Sequence, residues 1–187
     1  GLIDIVCPMN FFHTHWFEMI RNMPQWRQLT EGSDCGLYPT IHPWPAAKYK
    51  TPYVTDASYY GAAYSYYLHG ADGIALYNFF LYWPHDDPSP MVRILNDREK
   101  LKTMPRRYHS QLGGSVLVGP HDAQLTRKDE RKEFEFFLPE DPHAAGVTST
   151  LRFVGRNLTM DHVIEVDVNG KRIDPEAITY EILRRSD

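Results

Sequence analysis

Aromatic rings and one amide lie in and near the most apolar stretch of the chain, the run Ala71–Trp83. Ring faces stack on the apolar faces of pyranoses, and an amide can hydrogen-bond to hydroxyl groups. The same rings are also suited to ordinary packing in a core or at its rim, and both interpretations stay open. The candidate substrate-binding residues are His42, Trp44, Tyr77, Asn78, Tyr82 and Trp83.

Four histidines offer a different chemistry, and they are His13, His15, His42 and His85. With a neighbouring carboxylate they could hold a divalent metal ion that activates water. A His-x-His pair is a weak motif, and hydrogen-bonded loop histidines are the ordinary alternative. A metal site is therefore the second hypothesis. The first hypothesis, a sugar bound by the aromatic side chains, requires no cofactor.

Three apolar runs are predicted to be the buried strands that position these side chains. They are Leu2–Met9, Cys35–His42 and Ala71–Trp83. Such near-continuous runs are typical of a parallel sheet that is covered on both faces. Ligands in β/α folds bind at the carboxyl ends of the strands, so we expect the site there. Pro39 inside the second run predicts an irregular strand.

Helical patterns separate and follow these runs. The first is predicted to begin near Thr14, to break at Pro24 and to resume as far as Leu29. A later helix is predicted over 89–104, broken at Pro105 and continued as a short piece to Gln111. Alternation of strands and helices indicates β/α units.

The helix between the second and third strands is predicted to begin at Thr55 or Asp56 and to end at His69-Gly70. Gly61 and the two alanines after it would let this helix approach the sheet closely. Its predicted buried stripe consists of Ala57, Tyr60, Gly61, Tyr64, Tyr67 and Leu68.

The pattern changes to period-two alternation near residue 115. Ile164–Val168 alternates, and Asn169-Gly170 follows at once. Asn-Gly between alternating runs predicts a hairpin, because a type I′ turn needs positive φ at both positions. The sequence thus predicts three β/α units over residues 1–112 and an antiparallel β-sandwich over 115–187.

Composition limits the possible partners. The formal net charge of −4 argues against nucleic acid, and no apolar run is long enough to span a bilayer. Cys7 and Cys35 are expected to be buried thiols, with a disulfide as the alternative. Gly1 leads directly into a strand-like run without Met, so we expect a piece of a longer protein.

The run from Asp72 to Phe79, Asp-Gly-Ile-Ala-Leu-Tyr-Asn-Phe, resembles the last barrel strand of glycoside-hydrolase-like (β/α)8 proteins. Leu37–Ile41 and Leu2–Met9 are similar to the two strands before it, and the hairpin Val163–Ile173 resembles the galactose-binding-like sandwich that often follows such barrels. The resemblance implies a partial (β/α)8 (TIM) barrel plus a small β-sandwich, acting on or binding carbohydrate. Open barrel edges would favour self-association.

Glycosidases of this kind use two carboxylates, and the resemblance leaves Asp86 and Asp87 as the catalytic candidates. Both follow the last predicted strand, in a loop flanked by prolines, where solvated turn residues are the ordinary alternative. No Glu stands after Ile41, where the resemblance would place a nucleophile, so this chain alone is expected to be inactive. A metal-dependent hydrolase and a non-catalytic carbohydrate-binding protein are the alternatives.

Overall fold

The computed structural model describes residues 2–9, 16–41, 55–77, 89–108, 130–135, 138–153, 158–159 and 161–181. The chain divides into two compact units, Gly1–Val147 and Thr148–Asp187. The predicted domain boundary between residues 112 and 115 lies outside the described residues and stays a prediction.

Parallel strand pairs form the centre of the first unit. Strand β1 (Ile5–Val6) pairs with β2 (Gly36–Leu37), and β3 (Thr40–Ile41) pairs with β4 (Ala75–Leu76). Because β2 and β3 belong to one predicted strand, Cys35–His42, that strand pairs with β1 through its first part and with β4 through its second part. Each predicted strand thus contains a paired segment, but the segments are only two residues long.

Pro39 explains why β2 and β3 are separate. The Tyr38 N–H donates to the Val6 carbonyl at 2.8 Å, and the Ala75 N–H donates to the Pro39 carbonyl at 3.1 Å. Pro39 has no N–H with which to return a bond to the neighbouring strand, so the ladder is interrupted there. The prediction of an irregular strand at Pro39 is confirmed.

Four helices occur in the described part of the chain. They are α1 (Trp16–Thr30), α2 (Asp56–Leu68), α3 (Ser89–Leu95) and α4 (Arg98–Thr103). Helix α2 contacts all three other helices and β3. It is therefore the central element of the unit's core.

Helix α1 continues through Pro24, so the predicted break is wrong. Pro24 is exposed, whereas Ile20 and Met23 are almost completely buried. Packing of the buried face against the core offsets the missing backbone hydrogen bond, because tertiary contacts supply most of a helix's stability.

The single helix predicted over 89–104 is two helices. Helix α3 ends at Leu95, and Asp97 then begins α4 by accepting a hydrogen bond from the Lys100 N–H at 3.0 Å. An aspartate at this position satisfies one of the free N–H groups of the first turn. The N-cap preference of Asp97 therefore outweighs the continuous helical pattern.

The predicted buried stripe of α2 is wrong in most of its members. Leu68 is exposed, and Tyr64 and Tyr67 are only half-buried, while Tyr59 and Tyr66 are almost inaccessible. The helix carries apolar or small residues on nearly every side, so periodicity could not single out one face. Its buried residues are Ser58, Tyr59, Tyr60, Gly61, Ala62, Ala63, Ser65 and Tyr66.

The described residues of the second unit form one antiparallel hairpin and a 3₁₀ turn at Pro175–Ala177. Strand β5 (Asp167–Val168) pairs with β6 (Lys171–Arg172), and both Asn169 and Gly170 have positive φ, 51° and 78°. These angles fit the type I′ turn that Asn-Gly favours. The predicted hairpin is confirmed.

The predicted fold class, a partial (β/α)8 barrel followed by a β-sandwich, is wrong. The described residues form three separate two-stranded ladders, with no closed barrel and no pair of packed sheets. Closure of a barrel needs continuous strands with a consistent tilt, and a sandwich needs two apolar sheet faces in contact. The second unit instead exposes Leu151, Phe153 and Val168.

Candidate functional site

The carboxyl ends of the parallel strands lie at one edge of the first unit. The Thr40 N–H donates to the Pro8 carbonyl at 2.9 Å, just after β1. The Tyr77 N–H donates to the Ile41 carbonyl at 3.1 Å, at the ends of β3 and β4. The three strand ends therefore lie beside one another, at the edge where the sequence predicts a ligand site.

Tyr77 is the one predicted binding residue that the structure describes. It directly follows β4, and its side chain is 37% exposed. Its backbone is fixed by the bond to Ile41, so the ring is attached to a rigid part of the sheet edge. An exposed ring on a rigid support can stack on a flat apolar surface with a small loss of side-chain entropy.

The other sequence-predicted site residues lie outside the described residues, and their roles stay predictions. The full set comprises His42, Trp44, Asn78, Tyr82 and Trp83 as binding candidates, Asp86 and Asp87 as catalytic candidates, and His13, His15, His42 and His85 as the alternative metal ligands.

Tyr38 is an aromatic residue of this sheet that sequence reasoning missed. Its ring lies against Gly36 of β2 and against Gly73, which precedes β4. A Cβ atom added at Gly36 would lie 2.6 Å from the ring, and one at Gly73 would overlap it. Glycine within a strand often marks close approach of another group, and this signal could have identified the contact.

Charged side chains connect the amino-terminal ends of the same strands. Asp72 Oδ2 accepts hydrogen bonds from the Leu37 N–H at 2.8 Å and from Arg27 Nη1 at 3.1 Å. Arg98 Nη2 donates to the Ala71 carbonyl at 2.8 Å and to the Asp72 carbonyl at 3.0 Å. These contacts hold the strand starts together, so this edge has a structural role.

A second charged cluster is buried behind α2 and α4. The Arg106 guanidinium donates to both carboxylate oxygens of Glu140, at 2.7 and 2.9 Å, and the two side chains are only 7% and 11% exposed. Burial and the hydrogen bond that the Tyr108 hydroxyl donates to Glu140 raise the pKa of Tyr108. Three donors occupy this carboxylate, which makes it a structural partner and leaves it poorly suited to proton transfer.

The third guanidinium nitrogen of Arg106, Nη1, also has hydrogen-bond partners. Its Nη1 donates to the carbonyls of Leu101, Lys102 and Met104, and its guanidinium carbon lies 4.4 Å from the centre of the Tyr64 ring. Carbonyls at the end of α4 have no partner within the helix, so Arg106 also caps that helix.

Metal-ligating side chains do not gather in the described residues, where no group of three or more His, Cys, Asp or Glu could hold a metal ion. His69 Nδ1 lies 2.8 Å from the Ser65 carbonyl. Cys7 and Cys35 are both free, and the β1–β2 register offsets them along the strands. The predicted burial of both thiols is wrong, because Cys7 is exposed and Cys35 is only half-buried.

None of the described helices is long and apolar enough to cross a membrane. In comparisons with protein-family models, curated proteins and solved structures, the chain has no match.

Proposed function

We propose that this chain binds carbohydrate at the carboxyl edge of its parallel strands. The observation that carries the proposal is Tyr77, an exposed ring fixed at the point where β3 and β4 end. The opposite, amino-terminal edge of the same strands is less suited to a ligand, because an ion pair and hydrogen bonds to backbone groups already occupy it.

The chemistry of the neighbouring sequence supports a sugar ligand. In the sequence, Asn78 adds an amide donor and acceptor directly after Tyr77, and Tyr82, Trp83 and Trp44 add aromatic rings within a few residues of the strands. Rings supply apolar contact area and amides fix hydroxyl groups, which is the mixture that a pyranose requires.

The resemblance to glycoside-hydrolase-like proteins extends the proposal to the class of ligand, a glycan. Asp86 and Asp87 are the carboxylates that would act on a glycosidic bond, and both lie in the segment that follows β4. General acid catalysis needs one protonated and one ionised carboxyl group on opposite sides of that bond. Binding without cleavage is the expected behaviour of this chain alone.

Calorimetric titration with a panel of glycans tests the binding proposal. Replacement of Tyr77 by Ala should abolish measurable binding, because the stacking face is lost. Tyr180→Ala is the matched control, since Tyr180 is an exposed tyrosine of the second unit. Equal loss of binding in both variants, or no binding by the unaltered chain, would contradict the proposal.

Hydrolysis of the same glycans tests this expectation, because the chain alone should show no turnover. Activity that disappears in Asp86→Asn or Asp87→Asn, and that a chelator leaves unchanged, would assign cleavage to these carboxylates. Activity that a chelator abolishes would transfer the chemistry to the histidines.

A further inference from the structure

Helix α2 begins at the same edge of the sheet where Tyr77 lies. Strands β3 and β4 run parallel, so the chain between them must return from the carboxyl end of β3 to the amino end of β4. The Ala71 N–H donates to the Tyr66 carbonyl at 3.0 Å, which joins the end of α2 to the amino-terminal edge. The opposite end of the helix, with Asp56 as its first residue, therefore lies towards the carboxyl edge.

The lengths of the helix and the strand bring Asp56 level with Tyr77. The helix rises by about 15 Å between Tyr66 and Asp56. The extended chain rises by about 20 Å between Ala71 and Tyr77. Because Tyr66 and Ala71 are hydrogen-bonded to each other, the two upper ends differ in height by only about 5 Å.

The side chain of Asp56 borders the core. Residues three and four positions apart share one side of a helix, and Tyr59 and Tyr60 occupy these positions relative to Asp56. Both tyrosines are buried, and Asp56 itself is half-buried. Burial, and after it the charge of Asp56, raises the pKa of both tyrosines, which places the carboxylate within electrostatic reach of their hydroxyl groups.

The first turn of α2 is held without the oxygens of Asp56. The Thr55 N–H donates to Ser58 Oγ at 3.3 Å, and the Ser58 N–H donates to the Thr55 carbonyl at 2.8 Å. In the part of the chain that the structure describes, the Asp56 carboxylate has no hydrogen bond or ion pair. An acidic residue in the first turn favours the helix through its dipole, but that role leaves both oxygens able to accept hydrogen bonds.

We propose that Asp56 is a ligand-binding residue of this edge, whose carboxylate accepts hydrogen bonds from two adjacent hydroxyl groups of a sugar stacked on Tyr77. The inference rests on the proposed function and narrows the ligand class to a neutral glycan with two adjacent free hydroxyl groups. The two oxygens of one carboxylate can each accept a bond, so they match a pair of neighbouring donors. An acidic sugar group would instead bring two negative charges together.

Calorimetric titration with neutral trisaccharides of glucose, galactose and mannose tests the role of Asp56. Asp56→Asn should weaken binding roughly tenfold or more, because hydrogen bonds to a charged acceptor are lost. Asp56→Glu keeps the charge of the first turn but displaces the oxygens, so it should fold like the unaltered chain and still bind more weakly. Glu99→Gln, in the first turn of α4, is the matched control and should leave the affinity unchanged.

Deoxy analogues of the trisaccharide that binds separate a direct contact from an indirect effect. Analogues that lack either of two adjacent hydroxyl groups should show a clearly smaller difference in affinity between the unaltered chain and Asp56→Asn, whereas the other analogues should keep the full difference. The same difference with every analogue, or unchanged affinity in both Asp56 variants while Tyr77→Ala abolishes binding, would overturn this inference and leave the proposed function standing. No binding of any glycan by the unaltered chain would overturn both.

Discussion

Single residues decide stability where charge is buried. The Arg106–Glu140 pair is nearly inaccessible and Tyr108 also donates to it, whereas the Lys102–Glu99 pair lies on the surface of α4. Both are Lys/Arg–Glu pairs, but only the first has lost its contact with water. Sequence reasoning could not separate them, because burial depends on residues far apart in the chain.

Replacement of Glu140 by Gln should lower the free energy of unfolding by about 3 kcal/mol, because Arg106 would keep its buried charge without a counter-charge. Urea denaturation measures this loss. Glu99→Gln is the matched control and should change stability little, since that pair is solvated. Equal effects of the two substitutions would show that the Arg106 pair is not buried.

Tyr66 gives a prediction of the opposite sign. Its hydroxyl is buried and has no hydrogen-bond partner in the described part of the chain. Because an unpaired buried hydroxyl costs about 1 kcal/mol or more, Tyr66→Phe should leave stability at neutral pH unchanged or raise it. A loss comparable to that of a core truncation would contradict this account.

The same residue links stability to alkaline pH. Burial raises the pKa of Tyr66, so the folded chain keeps a proton that the unfolded chain releases above about pH 10. The free energy of unfolding should therefore fall as the pH rises beyond that value, by up to about 1.4 kcal/mol per pH unit for this group. Tyr66→Phe should make the fall less steep in thermal or urea unfolding, and an unchanged slope would refute the contribution.

At the scale of elements, the sequence predicted turns and helix ends well, but it predicted the lengths and buried faces of strands and helices poorly. The Asn169-Gly170 turn, the end of α2 at His69 and the irregularity at Pro39 depend on neighbouring residues, and all three occur. Strand length, the continuation of α1 through Pro24 and the buried face of α2 depend on tertiary packing. Propensity and periodicity carry no information on those contacts.

Gly61 illustrates how packing overrides propensity. A Cβ atom added there would lie 2.7 Å from the carbonyl oxygen of Arg107. The backbone of Arg107 is held in place, because its N–H donates a hydrogen bond to the Ala57 carbonyl at 2.9 Å. Helix propensity alone predicts that Gly61→Ala stabilises the chain by about 1 kcal/mol. The contact predicts the reverse, a loss of about 1–3 kcal/mol on thermal or urea unfolding, because the neighbouring atom is backbone and cannot easily move. Stabilisation would show that this close approach is absent.

At the scale of the whole molecule, the sequence predicted the parallel pairing of the strands but not the architecture, and its placement of a ligand site at their carboxyl ends stays a prediction. The three predicted strands do pair in parallel through the segments β1 to β4, and their carboxyl ends share an edge that carries Tyr77. Barrel closure and sandwich packing are global properties, and two-residue ladders supply neither. Among the predicted site residues, the structure places Tyr77 at this edge, while the others keep their roles as predictions.

The central claim is that carbohydrate binds at this edge, and a glycan titration followed by amide NMR tests it most directly. Amide signals of Met9, Ile41 and Tyr77 should shift with bound sugar, while those of Gly36 and Asp72, at the opposite edge, should stay in place. This pattern would place the ligand at the carboxyl ends of the strands. Shifts confined to the second unit, or no shifts with any glycan, would contradict the proposed function.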